Sequence, residues 1–262
     1  MATIAIGDIH GNLGPLDDLL SRVVPEVRSE DTLVFLGDYI DRGPDSKGCV
    51  ERILQLKSEA AFQVVTLMGN HEQWMLRSLH DPMRHSWLVG MEAMDTIQSY
   101  SPKAVKVLTK AMGAYGARLF YVKVPLPYEA FFDAMPPEHV RFFEGLVPCH
   151  RTPDVVCVHA GADLDGKVDP SEVDVHVWGP LGFPEDYAGK DAIVYGHHNN
   201  AVLDGDGTAM PRIGTNRSYG IDTISHGVLT AMRFPDERVW QSTRSEEQAS
   251  LERAELYALP QA

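Results

Sequence analysis

Cysteine, long apolar runs and positive charge are all scarce in this chain, and each shortage removes a class of protein. Cys49, Cys149 and Cys157 are the only cysteines among 262 residues. An odd, widely spaced set supports neither a disulfide framework nor a thiolate zinc site. Cys157 lies inside an apolar run, where a buried, inert thiol is expected. No apolar run approaches the roughly 18 residues of a membrane span, and the chain opens directly in a strand pattern with no basic segment ahead of an apolar stretch. A soluble cytoplasmic protein without membrane association is the expectation. Lys and Arg total 23 against 37 Asp and Glu, a net charge of −14. That balance argues against stable nucleic-acid binding through a broad basic surface. It still admits a phosphorylated ligand, because bound divalent cations reverse the local sign.

Three short apolar runs near the N-terminus each end in Gly followed by Asp or Asn. They read Ile4-Ala5-Ile6-Gly7-Asp8-Ile9-His10, Leu33-Val34-Phe35-Leu36-Gly37-Asp38-Tyr39-Ile40-Asp41-Arg42 and Val64-Val65-Thr66-Leu67-Met68-Gly69-Asn70-His71-Glu72. Runs rich in β-branched residues, alternating with longer amphipathic stretches, are what strands buried on both faces of a largely parallel sheet look like. Ligands bind at the carboxyl edge of such a sheet, so the three strand ends assemble a site. With 44% hydrophobic residues the chain can bury a substantial core. A single domain over residues 1–245 is expected, because polar clusters from both ends of the chain serve one site, and 246–262 read as a polar tail.

Leu13, Leu16, Leu19, Leu20, Val23, Val24 and Val27 follow helical spacing with Asn12 as N-cap. Asp45 or Ser46 caps a second helix carrying Val50, Ile53 and Leu54. The result is a β-α-β-α-β unit with right-handed crossovers. Residues 72–150 are rich in Met and aromatic side chains, with helical spacing near 74–79 and 137–146 and a loop around 125–128. They read either as a helical lid or as core helices that touch no substrate. Strand signals return at 155–158, 192–195, 218–221 and 228–233, the last two separated by a turn at 222–227. These suggest a second sheet, antiparallel in part, packed against the first.

Asp8 and His10 stand two apart at a strand end, so both side chains point to one face and can grip one ion. His159 and the pair His197-His198 also follow apolar strand runs. With Asp38 and Asn70 they form a set of O and N donors without sulfur, which suits Mn, Fe or Zn better than a purely Mg or Ca cage. Six donors exceed what one ion needs. They fit two ions sharing a bridging carboxylate, the arrangement that clamps attacking and leaving oxygens in phosphoryl displacement. A single Asp after Gly at a strand end is more often a turn or helix cap; the ordered recurrence reverses that preference.

Gly7-Asp8-Ile9-His10-Gly11, Gly37-Asp38-Tyr39-Ile40-Asp41-Arg42-Gly43, Gly69-Asn70-His71-Glu72, His159-Ala160-Gly161 and Gly196-His197 strongly resemble the ordered motifs of the phosphoprotein phosphatase branch of the metallophosphoesterases. The stretch 39–48 and Ile221-Asp222-Thr223 look like the bacterial serine/threonine phosphatase group, with the diadenosine tetraphosphate hydrolases as close relatives. The resemblance implies an α/β fold of two packed mixed β-sheets flanked by helices, with 72–150 as a helical lid region. It also implies that Asp8, His10 and bridging Asp38 hold one divalent ion, and that Asp38, Asn70, His159 and His197 hold a second. The metal expected first is Mn, with Fe or Zn as alternatives. A hydroxide bridging the ions would attack phosphorus in line. His71 would protonate the leaving group with Asp41 orienting it, and Arg42 would hold phosphate oxygens.

The chain departs from that pattern in one place. Related phosphatases carry a second phosphate-binding arginine shortly after a Trp between the last two histidine motifs. Here Val175-His176-Val177-Trp178-Gly179-Pro180-Leu181 has none; Arg212, Arg217 or Arg84 replaces it, or Arg42 acts with the metals alone. His198 competes with His197, whereas His80, His85, His139, His150, His176 and His226 read as surface or core residues, His226 with the option of facing the cleft. Glu72 reads as a helix-start residue complementing the dipole. The first functional expectation is hydrolysis of phosphoserine and phosphothreonine in proteins. The alternative is a dinucleoside polyphosphate or another small phosphoester as substrate, and an inactive phosphate-binding scaffold comes third.

Overall fold

The apolar runs become neighbouring strands because both of their faces meet other apolar groups. The computed structural model describes residues 1–203, 205 and 207–245, and the tail expected at 246–262 lies outside them. The expected β-α-β-α-β unit is formed by β1 (Thr3–Ile6), α1 (Leu13–Val23), β2 (Thr32–Phe35), α2 (Ser46–Glu59) and β3 (Gln63–Thr66). Helices α3 (Asn70–His80), α4 (Ser86–Gly90), α5 (Ala93–Tyr100), α6 (Pro102–Tyr115), α7 (Glu129–Phe132) and α8 (Pro137–Glu144) follow. Then come β4 (Cys149–Arg151), β5 (Val156–Val158), α9 (Val173–Trp178), β6 (Ile193–Tyr195), β7 (Val202–Leu203) and β8 (Ala209–Met210). The described part closes with β9 (Arg212–Ile213), β10 (Ser218–Gly220), β11 (Thr230–Phe234) and β12 (Arg238–Gln241).

Two five-stranded sheets result, in the orders β12-β11-β1-β2-β3 and β4-β5-β6-β10-β9. Each is mixed: β1, β2 and β3 run parallel with β11 antiparallel to β1, and β5, β6 and β10 run parallel with β4 antiparallel to β5. Alternation along the strands divides the side chains into layers. Ile4, Ile6, Leu33 and Phe35 join one cluster with Leu16, Leu19, Ile53 and the buried residues of the 72–150 helices. Ala5, Val34, Leu36, Cys157, Val194 and Ile221 fill the space between the sheets. Val156, Val158, Ile193 and Tyr195 line the far face of the second sheet. Each fully buried Leu, Ile or Phe stabilises the fold by roughly 1.5–3 kcal/mol. Cys49 and Cys157 are buried free thiols, and burial pushes the Cys157 pKa up.

Two local expectations change. The strand signal at 228–233 is β11, and it extends the first sheet rather than the second, so the turn at 222–227 carries the chain from one sheet to the other. An apolar alternation specifies which faces are buried but not which strand pairs alongside. Asn12 holds the N-cap position of α1, its carbonyl accepting the Leu16 N–H at 3.1 Å, but its side chain caps nothing: Nδ2 donates to the carbonyls of Ile9 and His10, tying down the loop after β1. Asp45 is the cap of α2, accepting the Gly48 N–H at 2.8 Å. Among the described residues no helix is long and apolar enough to cross a membrane.

Candidate active site

Ile6, Phe35 and Thr66 share one register across β1, β2 and β3, so Asp8, Asp38 and Asn70 leave the same edge of the first sheet. His159 and His197 follow β5 and β6, which are parallel neighbours in the second. The turns that bring these ends together are tight. Among the described residues eight non-glycines have positive φ, and five are His10 (45°), Asp38 (50°), Asp41 (72°), Arg42 (65°) and His197 (72°). Such conformations cost on the order of 1–3 kcal/mol each and concentrate where function needs them. Two preceding glycines are dictated by space: a Cβ on Gly69 would collide with Asp38 Oδ1, and one on Gly196 with Asp8 Oδ1.

Two clusters of donor atoms share Asp38. His10, Asp38 and His71 form one, Asp38, His159 and His197 the other, with the ligand atoms of each within 4.8 Å of one another. The outward Nδ1 of His10 lies 2.9 Å from Ile40 O, and that of His159 lies 3.0 Å from Leu36 O. Donating there fixes the rings and turns each Nε2 inward as an acceptor, the usual support of metal-binding imidazoles. Asn70 Oδ1 is 3.0 Å from both His159 Nε2 and His197 Nδ1. Asp8 belongs to neither cluster, its Oδ2 accepting the N–H of His197 at 2.9 Å.

This set fits divalent cations. Asp8 Oδ1 is buried without a hydrogen-bond partner. The Asn70 oxygen faces only acceptors, although turning the amide over would let its nitrogen donate to Asp38, His159 and His197 at 3.0–3.2 Å. Lone pairs converging from buried carboxylates, imidazoles and an amide carbonyl repel one another unless a cation lies among them. Burial, then Asp222 and Asp38, raises the Asp8 pKa well above the carboxylate range. Burial also opposes ionisation of Asp38, but His159, His71, His10 and His197 around it bring its pKa down. His197 falls to about 3 through burial and the neighbouring His159, which leaves its ring neutral and able to bind an ion.

His71 Nδ1 lies 2.7 Å from Asp41 Oδ2, while its Nε2 faces Asp38 Oδ2 at 3.8 Å. Burial lowers the His71 pKa, yet Asp38 and Asp41 outweigh it and raise the value overall. Two further groups grip Asp41: Trp87 Nε1 donates to Oδ2 at 2.9 Å and Thr96 Oγ1 to Oδ1 at 2.6 Å. Neither Trp87 nor Thr96 stands in a motif of the sequence. Glu72 does more than complement α3, since it accepts the backbone N–H groups of Asp38, Tyr39 and Gly69 at 2.8–3.0 Å and so holds the two ligand loops together. Arg42 is half-exposed, with Nη1 3.2 Å from His10 Nε2 and Nε 3.8 Å from Glu92.

The remaining candidates lie outside both clusters. The His198 ring stacks on His197 with centroids 4.2 Å apart, and His226 Nε2 meets Asn199 Nδ2 at 2.9 Å. His176 is buried between the carbonyls of Gly161 and Asp169. The arginines considered as replacements are engaged elsewhere: Arg212 with Glu185 at 2.7 Å, Arg217 with the Lys190 carbonyl at 2.9 Å and Arg84 with Asp81 at 3.5 Å. Trp178 is retained, its ring 6.0 Å from His197 and its Nε1 donating to Gln73.

A zinc-dependent endopolyphosphatase of Saccharomyces cerevisiae is 27% identical over 126 residues, 46% of this chain and 37% of that protein, so the chain spans little more than a third of its length. A symmetrical bis(5'-nucleosyl)-tetraphosphatase of Pectobacterium carotovorum is 25% identical over 288 residues, covering 91% and 93% of the two chains. An asymmetrical bis(5'-nucleosyl)-tetraphosphatase of Bacillus velezensis is 28% identical over 263 residues, covering 90% of each. A solved structure provisionally described as a diadenosine tetraphosphatase superposes with a TM-score of 0.55 at 20% identity over 94% of each chain. A protein serine/threonine phosphatase from Saccharomyces cerevisiae gives 0.50 at 14%, over 94% of this chain and 81% of that one. At such identities the two structures speak for the fold alone. The calcineurin-like phosphoesterase model matches residues 1–227, and the chain belongs to that family of metal-dependent phosphoesterases.

Proposed function

We propose that residues 1–245 form one catalytic domain that hydrolyses small phosphoesters of the dinucleoside polyphosphate type at a two-metal centre. Two donor clusters joined through Asp38 carry the hydrolytic part of this reading. The substrate class is supported by tetraphosphatase relatives aligned along 90% or more of this chain, which places the dinucleotide ahead of the phosphoprotein expected first from sequence. Asp8, His10 and Asp38 would hold one ion and Asp38, Asn70, His159 and His197 the other, with Mn the metal to try first. Bound ions of this kind neutralise phosphate charge and lower the pKa of water so that it attacks near neutral pH.

The chain's own groups then divide the work. Arg42 holds phosphate oxygens with its planar guanidinium. His71, fixed at Nδ1 by Asp41, turns Nε2 toward the reaction centre and gives its proton to the leaving oxygen. A leaving nucleotide phosphate needs that proton less than an alkoxide does. Replacing Arg42 by Ala is expected to lower kcat/KM by about 10- to 100-fold, the worth of one charge-assisted contact, with metal content unchanged. A kcat/KM equal to that of the parent would remove Arg42 from substrate binding.

Substrate class is settled by supplying Mn²⁺-loaded protein with diadenosine tetraphosphate, a phosphoserine peptide and a phosphothreonine peptide in parallel. The dinucleotide is expected to have the highest kcat/KM. ADP as sole product means cleavage of the central bridge, and ATP plus AMP means cleavage toward one end. Faster dephosphorylation of either peptide overturns the proposal and restores the phosphoprotein reading.

A further inference from the structure

We propose that Trp87 and Thr96, from α4 and α5, are positioning residues for proton delivery: they set the rotation of the Asp41 carboxylate that orients His71. This rests on the reading of His71 as proton donor to the leaving group.

Asp41 is completely buried, and both of its oxygens are used. Oδ2 receives His71 Nδ1 at 2.7 Å and Trp87 Nε1 at 2.9 Å, and Oδ1 receives Thr96 Oγ1 at 2.6 Å. A threonine hydroxyl has one proton to give. Since that proton goes to Asp41, Thr96 Oγ1 serves as acceptor for the Asp41 backbone N–H at 2.8 Å and for the Ser46 hydroxyl at 2.9 Å. Thr96 therefore grips Asp41 at two points, backbone and carboxylate. That double hold falls on a residue at φ 72°, a conformation that persists only when its surroundings enforce it.

The indole has an equally restricted part. Trp87 is fully buried, with Phe131 of α7 5.4 Å away ring to ring, so its N–H has a fixed direction. An indole N–H only donates, and so it is satisfied by a carboxylate oxygen turned toward it. Indole and hydroxyl together select one rotation of the Asp41 carboxyl group. In that rotation His71 Nδ1 is the donor and Nε2 is left for the reaction centre. The same segment also reaches the phosphate-binding side through Glu92, 3.8 Å from Arg42 Nε. Trp87, Ala93 and Ile97 of α4 and α5 are core residues, and from the core these helices reach Asp41, the partner of His71.

The test uses the Mn²⁺-loaded full chain with phosphoserine and p-nitrophenyl phosphate, whose leaving groups differ in their need for a proton. Thr96→Val and Trp87→Phe are expected to lower kcat for phosphoserine by about 10- to 100-fold, with a smaller loss for p-nitrophenyl phosphate and with KM and metal content unchanged. Thr96→Ser, which keeps the hydroxyl, restores the rate to within about threefold. In amide and indole ¹⁵N spectra the signal missing from Trp87→Phe is expected to move in Asp41→Asn, where the charged acceptor is lost. Should Trp87→Phe fail to fold, the Thr96 pair decides. A leaving-group preference in His71→Asn that Thr96→Val lacks overturns the positioning role and leaves the reading of His71 intact. Equal losses for both substrates in His71→Asn itself overturn that reading, and the positioning role falls with it.

Discussion

Asp38→Asn is expected to lower both the metal content and the turnover of the protein, the latter by roughly 10³- to 10⁴-fold, corresponding to the several kcal/mol of charge stabilisation a metal centre supplies. The size follows from position. Asp38 is the one side chain common to both donor clusters, and it is buried among four histidines that favour its charged form. An amide keeps the shape and removes the charge, so each cluster loses its anionic member at once. Elemental analysis of protein purified with Mn²⁺, together with steady-state turnover, checks the expectation. Full activity at normal metal loading would remove Asp38 as a bridging ligand.

His71→Asn is expected to spare metal content while slowing an alkyl phosphate by about 10²- to 10⁴-fold, the usual worth of a general acid. The loss on p-nitrophenyl phosphate should be far smaller, because its leaving group departs without a proton. Metal content matters here, since His71 sits within 4.8 Å of the ligand atoms of His10 and Asp38, and a ligand role would instead show as lost metal. The pH dependence has a definite sign. Asp38 and Asp41 raise the His71 pKa above its ordinary value of 6.5, so the proton it must donate stays bound past the normal histidine range. Alkyl phosphate turnover should then fall as pH rises through that raised value. A falling limb still present in His71→Asn would assign the titration to another group.

Much of the site was legible because its donors follow a local rule. A buried strand that ends in Gly-Asp, Gly-Asn or Gly-His delivers a polar group at the strand's carboxyl end, and spacing alone reveals the repetition. The Gly69 and Gly196 positions show why glycine is needed, since any side chain there would strike a carboxylate. The pairing of β11 was not legible. Its alternation fits either sheet, and the partner was chosen by how Met232 and Phe234 fill the gap between the sheets while Ala231 faces the helices. Glu72 was legible only in part: it does stand at the start of α3, where it accepts the Gly69 N–H, but its further bonds to Asp38 and Tyr39 span 34 and 33 residues.

The amino-acid sequence by itself determined the α/β alternation and offered candidate donors without sulfur, because periodicity and residue type act over a few neighbouring positions. Tertiary structure alone decided that His71 rather than Asp8 falls within a cluster with His10 and Asp38, and that Trp87 and Thr96 hold Asp41 from 46 and 55 residues away. Those outcomes depend on directed hydrogen bonds and on the exclusion of water across distant segments, and no local pattern of hydrophobic and polar residues encodes a direction in space.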